Sequence, residues 1–151
     1  MKYIEGAWEK IAKAFAAVFG FLTGLYGGWS MTLAVLLGCM AVDYISGLIV
    51  AGMGKSKKTE GGGLDSSVGL NGLRRKGMIL LVVLVAALLD QATGTGNSMF
   101  RDAACWFYIA NECLSILENS SLAGVPWPAW LKKALEQMRD KEVEKPPDAG
   151  A

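Results

Sequence analysis

Apolar and polar positions along this chain fall into blocks, and the blocks predict helices. In residues 2–22, Ile4, Trp8, Ile11, Phe15, Val18, Phe19 and Leu22 make one stripe, with Lys2, Glu5, Glu9, Lys10 and Lys13 off it. Such a helix is suited to lie in a membrane interface. A signal peptide is the weaker alternative, because Glu5 and Glu9 interrupt the basic stretch that opens one. From Ala14 to Val42 no charged residue occurs. Two readings of that run stand: an interfacial helix with one span after Gly27-Gly28, or a hairpin at those glycines with both halves crossing. Gly20, Gly24, Gly27 and Gly28 weaken the first half and favour the interfacial reading.

Trp29–Gly52 is long enough to cross a hydrocarbon core of about 30 Å. Its single charge, Asp43, lies well inside, and Cys39, Asp43, Ser46, Gly47 and Ala51 share a face. Residues 53–76 read as a polar loop on the cytoplasmic side, with Lys55, Lys57, Lys58, Arg74, Arg75 and Lys76 as its basic set. Gly61-Gly62-Gly63 makes the loop's centre flexible. A second span covers about 77–93: an unbroken apolar run from Met78 to Leu89, then Asp90 near the far interface. Arg75 and Lys76 are placed to snorkel at its near end. Gln91–Ser98 is a turn without Lys or Arg, and a third span covers about 100–117.

That third span carries the most informative pattern. Tyr108, Asn111, Glu112, Ser115, Glu118 and Asn119 fall on one helical face, opposite Trp106, Ile109, Ala110, Cys113 and Leu117. Lipid can cover the second face but not the first, so a partner helix or water must take the polar stripe. Gly124-Val125-Pro126-Trp127-Pro128 then breaks the helix. An amphipathic helix over 128–140 follows, with Trp130, Leu131, Ala134, Leu135 and Met138 on one side and Lys132, Lys133, Glu136 and Arg139 on the other. Trp29, Trp127 and Trp130 suit headgroup-level anchors. Residues 141–151 read as a disordered tail. The expected fold is therefore all-α, a single membrane domain over 1–140 with about three transmembrane helices and an amphipathic helix at each end. With the basic loop inside, the C-terminus is cytoplasmic too.

Composition agrees. Charged residues are 19% of the 151, against about 25% in an ordinary soluble domain, and hydrophobic residues are 52%. Cys39, Cys105 and Cys113 all sit in apolar segments, odd in number, and read as small hydrophobes. The chain has no histidine, which removes Ser-His-Asp and Cys-His catalysis and histidine-ligated metals. Gly54-Lys55-Ser56 resembles the end of a phosphate loop, but Ile49 stands where the first glycine is needed and no strand precedes it. Asp43 and Asp90 on adjacent spans do not match an intramembrane aspartyl protease. The tyrosine follows Asp43 instead of preceding it, and Gly94-Thr95-Gly96 leads to Asn97. No catalytic residue, metal or cofactor is expected, and the basic residues are topology signals and lipid contacts, with no nucleic acid implied.

A set of short motifs in order carries a resemblance. Gly27-Gly28-Trp29 is followed by Asp43-Tyr44 with Gly47. Ser66-Ser67 with Gly69, Gly72 and Lys76 leads into the second span, which ends at Asp90. Asn111-Glu112, Ser115-Ile116, Glu118-Asn119, Gly124-Val125-Pro126 and Pro128 complete the series. Over roughly residues 27–135 the chain resembles the small holin family of Gram-positive phages, which includes holin-like proteins linked to toxin release. The E-x-x-S-I-x-E-N run leading to G-V-P-x-P is its most specific part. Val68 stands where family members tend to be basic, and Trp127 where an aliphatic residue is usual.

The resemblance implies a protein that accumulates in the host cytoplasmic membrane, forms homo-oligomers and opens a timed lesion through which an endolysin escapes. The intramembrane polar residues Asp43, Ser46, Gly47, Asp90, Tyr108, Asn111, Glu112, Ser115, Glu118 and Asn119 are then the expected oligomer face. A small ion or proton channel using Asp43 and Glu112, and an antiholin that restrains another holin, are the alternatives.

Overall fold

The computed structural model describes residues 2–130 and residue 133, with side chains from Trp8 onward. Among them the fold is all-helical, with four helices: α1 (Lys2–Leu25), α2 (Met31–Gly52), α3 (Ser66–Thr93) and α4 (Met99–Leu122). The amphipathic helix expected over 128–140 and the tail at 141–151 lie outside the described residues, apart from Ala129 and Trp130, which are helical, and residue 133.

Each helix starts and stops for a local reason. Ser30 accepts a hydrogen bond from the Leu33 amide at 3.2 Å and caps α2. Asp65 caps α3 by accepting from the amides of Ser67 at 2.7 Å and Val68 at 3.2 Å. Gly94 ends α3 in the left-handed region at φ 64°, where a Cβ would be strained. The cap of α4 is borrowed. Ser98 makes no side-chain cap, and Asp90 of α3 instead accepts from the Phe100 amide at 2.9 Å and the Arg101 amide at 2.8 Å.

Helices α2, α3 and α4 form the bundle, with α4 packed most closely against α2 and then against α3. Their core is Leu33, Leu36, Met40, Ile79, Val83, Cys105 and Ile109. Ile109, expected on the lipid side of α4, is in this core, because α2 and α3 both reach around to it. The loop 53–65, the start of α3 and the ends of α2 and α4 gather at one end of the bundle. The turn at Tyr26–Ser30, the end of α3 and the start of α4 gather at the other. α1 touches the bundle lightly, chiefly through α3, and Trp8, Phe15, Val18, Phe19 and Phe21 are exposed.

Two element boundaries differ from expectation. Residues 66–76 were expected in the basic loop and are the first turns of α3. Asp65 supplies the cap and Lys76 finds partners inside, so the helix starts eleven residues early despite Gly69 and Gly72. α4 continues past residue 117 to Leu122, because the polarity of Asn119 is spent on α2.

α2 is, among the described residues, the one helix that passes for a membrane span on length and composition alone. α3 and α4 carry more polar and charged residues than α2. Those residues are not on the outside, however. Lys76, Asp90, Arg101, Glu112 and Asn119 are buried. Exposed positions are instead Val42, Ile45, Leu48 and Ile49 on α2, Met78, Leu81, Val82, Val85, Leu88 and Leu89 on α3, and Trp106 and Phe107 on α4. A bundle with its apolar residues outward and its charges inward is arranged for a surrounding of hydrocarbon.

Candidate functional site

Three charged side chains from three helices meet inside the bundle. Asp43 lies nine residues before the end of α2, Lys76 ten after the start of α3, and Glu112 ten before the end of α4. At 1.5 Å per residue all three sit about 15 Å from the loop end, so antiparallel packing brings them to one level. Lys76 Nζ donates to Asp43 Oδ2 at 2.7 Å and to Glu112 Oε2. Lys76 is 9% exposed and Glu112 is 7% exposed. Expected in the basic loop, Lys76 is the centre of a buried network. A lysine there is tolerable only because it pairs with two carboxylates that would otherwise be uncompensated.

A second polar layer lies one to two turns closer to the loop end. Asn119 Nδ2 donates to Ser46 Oγ at 2.9 Å and to Asp43 Oδ1 at 3.3 Å. Gly47 borders this layer, where a Cβ would meet Asn119 Nδ2 at an ordinary contact distance of 3.7 Å. Glu118, further round the helix, is exposed and pairs loosely with Lys57 at 3.6 Å. The stripe of α4 thus divides. Glu112 and Asn119 are covered by α2 and α3 of the same chain. Tyr108, Asn111 and Ser115 line a cavity of about 400 Å³ that opens toward the loop end between α2 and α3. A partner helix does take part of the stripe, and for Glu112 and Asn119 it belongs to the same chain.

The far end holds a separate cluster. Arg101, 6% exposed, donates from Nη1 to the Tyr26 carbonyl at 2.8 Å and to those of Gly27 and Gly28 at 3.4 Å each. Those glycines have φ of 73° and 91°, so the turn turns its carbonyls inward in a conformation that only glycine adopts easily. Gln91 donates to the Leu25 carbonyl at 2.8 Å and Tyr26 to the Leu80 carbonyl at 3.0 Å. Asp90, expected near an interface, is buried and serves as the cap of α4 described above. It is remote from Asp43 along α3, which leaves no aspartate pair.

Of the expected anchors, Trp29 and Trp130 are exposed, whereas Trp127 folds back and donates from Nε1 to Ser120 Oγ at 3.0 Å. Of the basic set, Lys55, Lys57 and Lys58 lie in the loop and Arg74 and Arg75 are exposed on α3. Among the described residues no cluster of metal-ligating side chains occurs. The role of Arg101 as a clamp is not visible in the sequence, where residue 101 falls only within the third span expected over about 100–117.

Residues 20–140 match the bacteriophage holin family, and the chain belongs to it. It is 43% identical over 120 residues to an uncharacterised 14.9 kDa protein in the nagH 3' region of Clostridium perfringens, covering 80% of this chain and 86% of that one. An uncharacterised protein of Listeria monocytogenes is 35% identical over 140 residues, 86% of this chain and 92% of that one. A probable holin of Bacillus phage phi105 is 36% identical over 107 residues, 69% of this chain and 73% of that one. No solved structure is significantly similar. The family is one of membrane proteins, not of enzymes, which agrees with the expectation drawn from the E-x-x-S-I-x-E-N run.

Proposed function

We propose that this chain is an active holin. α2, α3 and α4 each cross the cytoplasmic membrane, copies of the chain cluster, and the clusters open lesions that let an endolysin reach the cell wall. The observation that carries this is the inside-out bundle, with an apolar exterior on three helices and Asp43, Lys76 and Glu112 held within, in a chain of the holin family. At 22, 28 and 24 residues the three helices are long enough to span about 30 Å. Lys55, Lys57, Lys58, Arg74 and Arg75 sit at the loop end and Gly94–Ser98 carries no basic residue, so the loop and the C-terminus face the cytoplasm.

Clustering has a physical basis in the uncovered part of the stripe. Tyr108, Asn111 and Ser115 face a cavity that hydrocarbon would fill poorly. A lesion needs a polar wall, and separating α2 from α4 would expose Asp43, Glu112 and Asn119 to supply one. The alternative of a small oligomeric ion or proton channel would have to place its path between copies, because a path inside one bundle fits less well. Below the charge network the bundle is packed with Leu36, Val83 and Cys105, each essentially fully buried, which leaves no polar path to the other end.

Expression in bacteria with a cytoplasmic reporter enzyme tests the reading. Abrupt loss of viability with release of the reporter is expected. Depolarisation with the reporter retained would replace the holin by a channel. An effect seen only as delay of another holin would make the chain an antiholin.

A further inference from the structure

The cavity at the loop end is lined by four cations, Lys57, Lys58, Arg75 and Lys76, and four carboxylates, Asp43, Asp65, Glu112 and Glu118. Of the cations that line it, Lys76 is committed to Asp43 and Glu112, and Lys57 leans on Glu118. Asp65 turns its carboxylate back onto its own helix. Lys58 and Arg75 remain. Both line the cavity, and among the described residues neither makes an ion pair or a side-chain hydrogen bond. The lining also includes apolar surface from Tyr44, Leu48, Ala51 and Val68, beside the polar Tyr108, Asn111 and Ser115. Leu48 is also exposed beside Ile45 on the outer surface of α2, so the apolar surface runs out onto the face that meets lipid.

A ligand for this place carries a phosphate at one end and hydrocarbon at the other. We propose that the cavity seats the phosphate headgroup of an anionic phospholipid, with Arg75 and Lys58 on the phosphate and the acyl chains leaving along Leu48. The inference rests on the membrane reading of the bundle. The volume of about 400 Å³ falls within the usual range for small-ligand sites. Arginine offers its paired donors to two phosphate oxygens and lysine a mobile point charge, so the two are complementary rather than redundant. The loop end is the cytoplasmic end in the topology proposed above, where anionic headgroups are abundant. A headgroup wedged between α2 and α3 would hold those helices apart and hydrate the Asp43–Lys76–Glu112 network from that side.

Native mass spectrometry of the full chain in detergent, titrated with phosphatidylglycerol or phosphatidylcholine, tests this without requiring lesions to form. The wild type retains phosphatidylglycerol in preference to phosphatidylcholine. The K58Q/R75Q variant loses occupancy by about tenfold or more, as expected when two cations near an anionic headgroup are removed. K58R/R75K keeps most of it. K55Q/R74Q, which removes two basic residues that do not line the cavity, retains wild-type occupancy. Equal loss in K55Q/R74Q would mean diffuse attraction and would overturn the site, as would equal binding of the two lipids. Displacement of the lipid by equimolar glycerol 3-phosphate would assign the cavity to a soluble phosphate instead. A chain that stays monomeric and soluble without detergent would refute the membrane reading itself, an outcome distinct from all of these.

Discussion

Lys76 Nζ on α3 stands 2.7 Å from Asp43 Oδ2 on α2, and the same ammonium group reaches Glu112 on α4. One cation therefore ties together all three helices of the bundle. Removing a single member of a buried ionic group leaves the others uncompensated, at a cost of about 3–5 kcal/mol, whereas replacing all of it with apolar residues is often neutral or better. Lys76→Met should accordingly destabilise the bundle by about that amount in a detergent unfolding titration followed by circular dichroism. The D43L/K76M/E112L triple variant should recover most of the loss. A fully stable K76M protein would mean that the three side chains do not share a site.

Glu118 offers the contrast. It belongs to the same stripe but is exposed and pairs with Lys57 only at 3.6 Å. Glu118→Gln should change stability by less than about 1 kcal/mol in the same titration. A cost as large as that of K76M would indicate that a second copy of the chain buries Glu118 under the conditions measured.

How far the sequence discloses this arrangement depends on what each residue advertises. The face of α4 is readable, since Tyr108 to Asn119 recur at helical spacing. What covers that face is not, because periodicity says which side is polar and nothing about whose helix lies on it. Lys76 is misread for a related reason. It follows Arg74 and Arg75 and precedes twelve apolar residues from Met78 to Leu89, so it looks like the last of a basic cluster. Depth reveals it only once α3 is known to start at Ser66 and α4 to end at Leu122, which puts Asp43, Lys76 and Glu112 at nearly equal distances from the loop end of the bundle. The early start of α3 had a signal too: Asp65, a capping residue type, directly before Ser66-Ser67. The Arg101 clamp had none, since its acceptors are backbone carbonyls.

The pairing of α2 with α4 within one chain can be read chemically. Cys39 and Cys113 are both unpaired thiols with sulfurs 4.0 Å apart. A disulfide needs about 2.05 Å, a gap that small side-chain rotations close. Mild oxidation with copper phenanthroline in detergent should join Cys39 to Cys113 within the monomer, as peptide mapping would reveal. Exclusive dimer formation through these residues would place the α2–α4 contact between chains instead.

The far end should behave as a latch. Asp90→Ala removes both oxygens that accept from the Phe100 and Arg101 amides, and a cap lost to alanine typically costs about 0.5–2 kcal/mol. Arg101→Gln removes the donors held by the carbonyls of Tyr26, Gly27 and Gly28. Hydrogen exchange should then quicken at Phe100 and Arg101 in the first variant and across residues 26–30 in the second. The Lys76 region should keep its protection in both. Spread of the effect to residues 70–80 would contradict the separation of the two clusters.

Asp65 gives the start of α3 a pH dependence. The Ser67 hydroxyl, followed by the Val68 and Ser67 amides, holds its carboxyl below the ordinary carboxylate value. A depressed value in the folded state means the cap contributes at pH above the unfolded value, about 3.9, and is lost as pH falls through the folded one. Protection of the Ser67 and Val68 amides, corrected for intrinsic exchange, should therefore hold at neutral pH and fall in strong acid. Asp65→Asn should remove most of that dependence. An unchanged acid response in the variant would assign it to another group.

A holin must by itself breach a bilayer widely enough for a folded protein. Purified protein added to vesicles of phosphatidylglycerol and phosphatidylethanolamine, loaded with both a small dye and a folded enzyme, answers that directly. Release of the dye and the enzyme together is the predicted result. Release of the dye with the enzyme fully retained, at protein densities that empty every vesicle of dye, would contradict it.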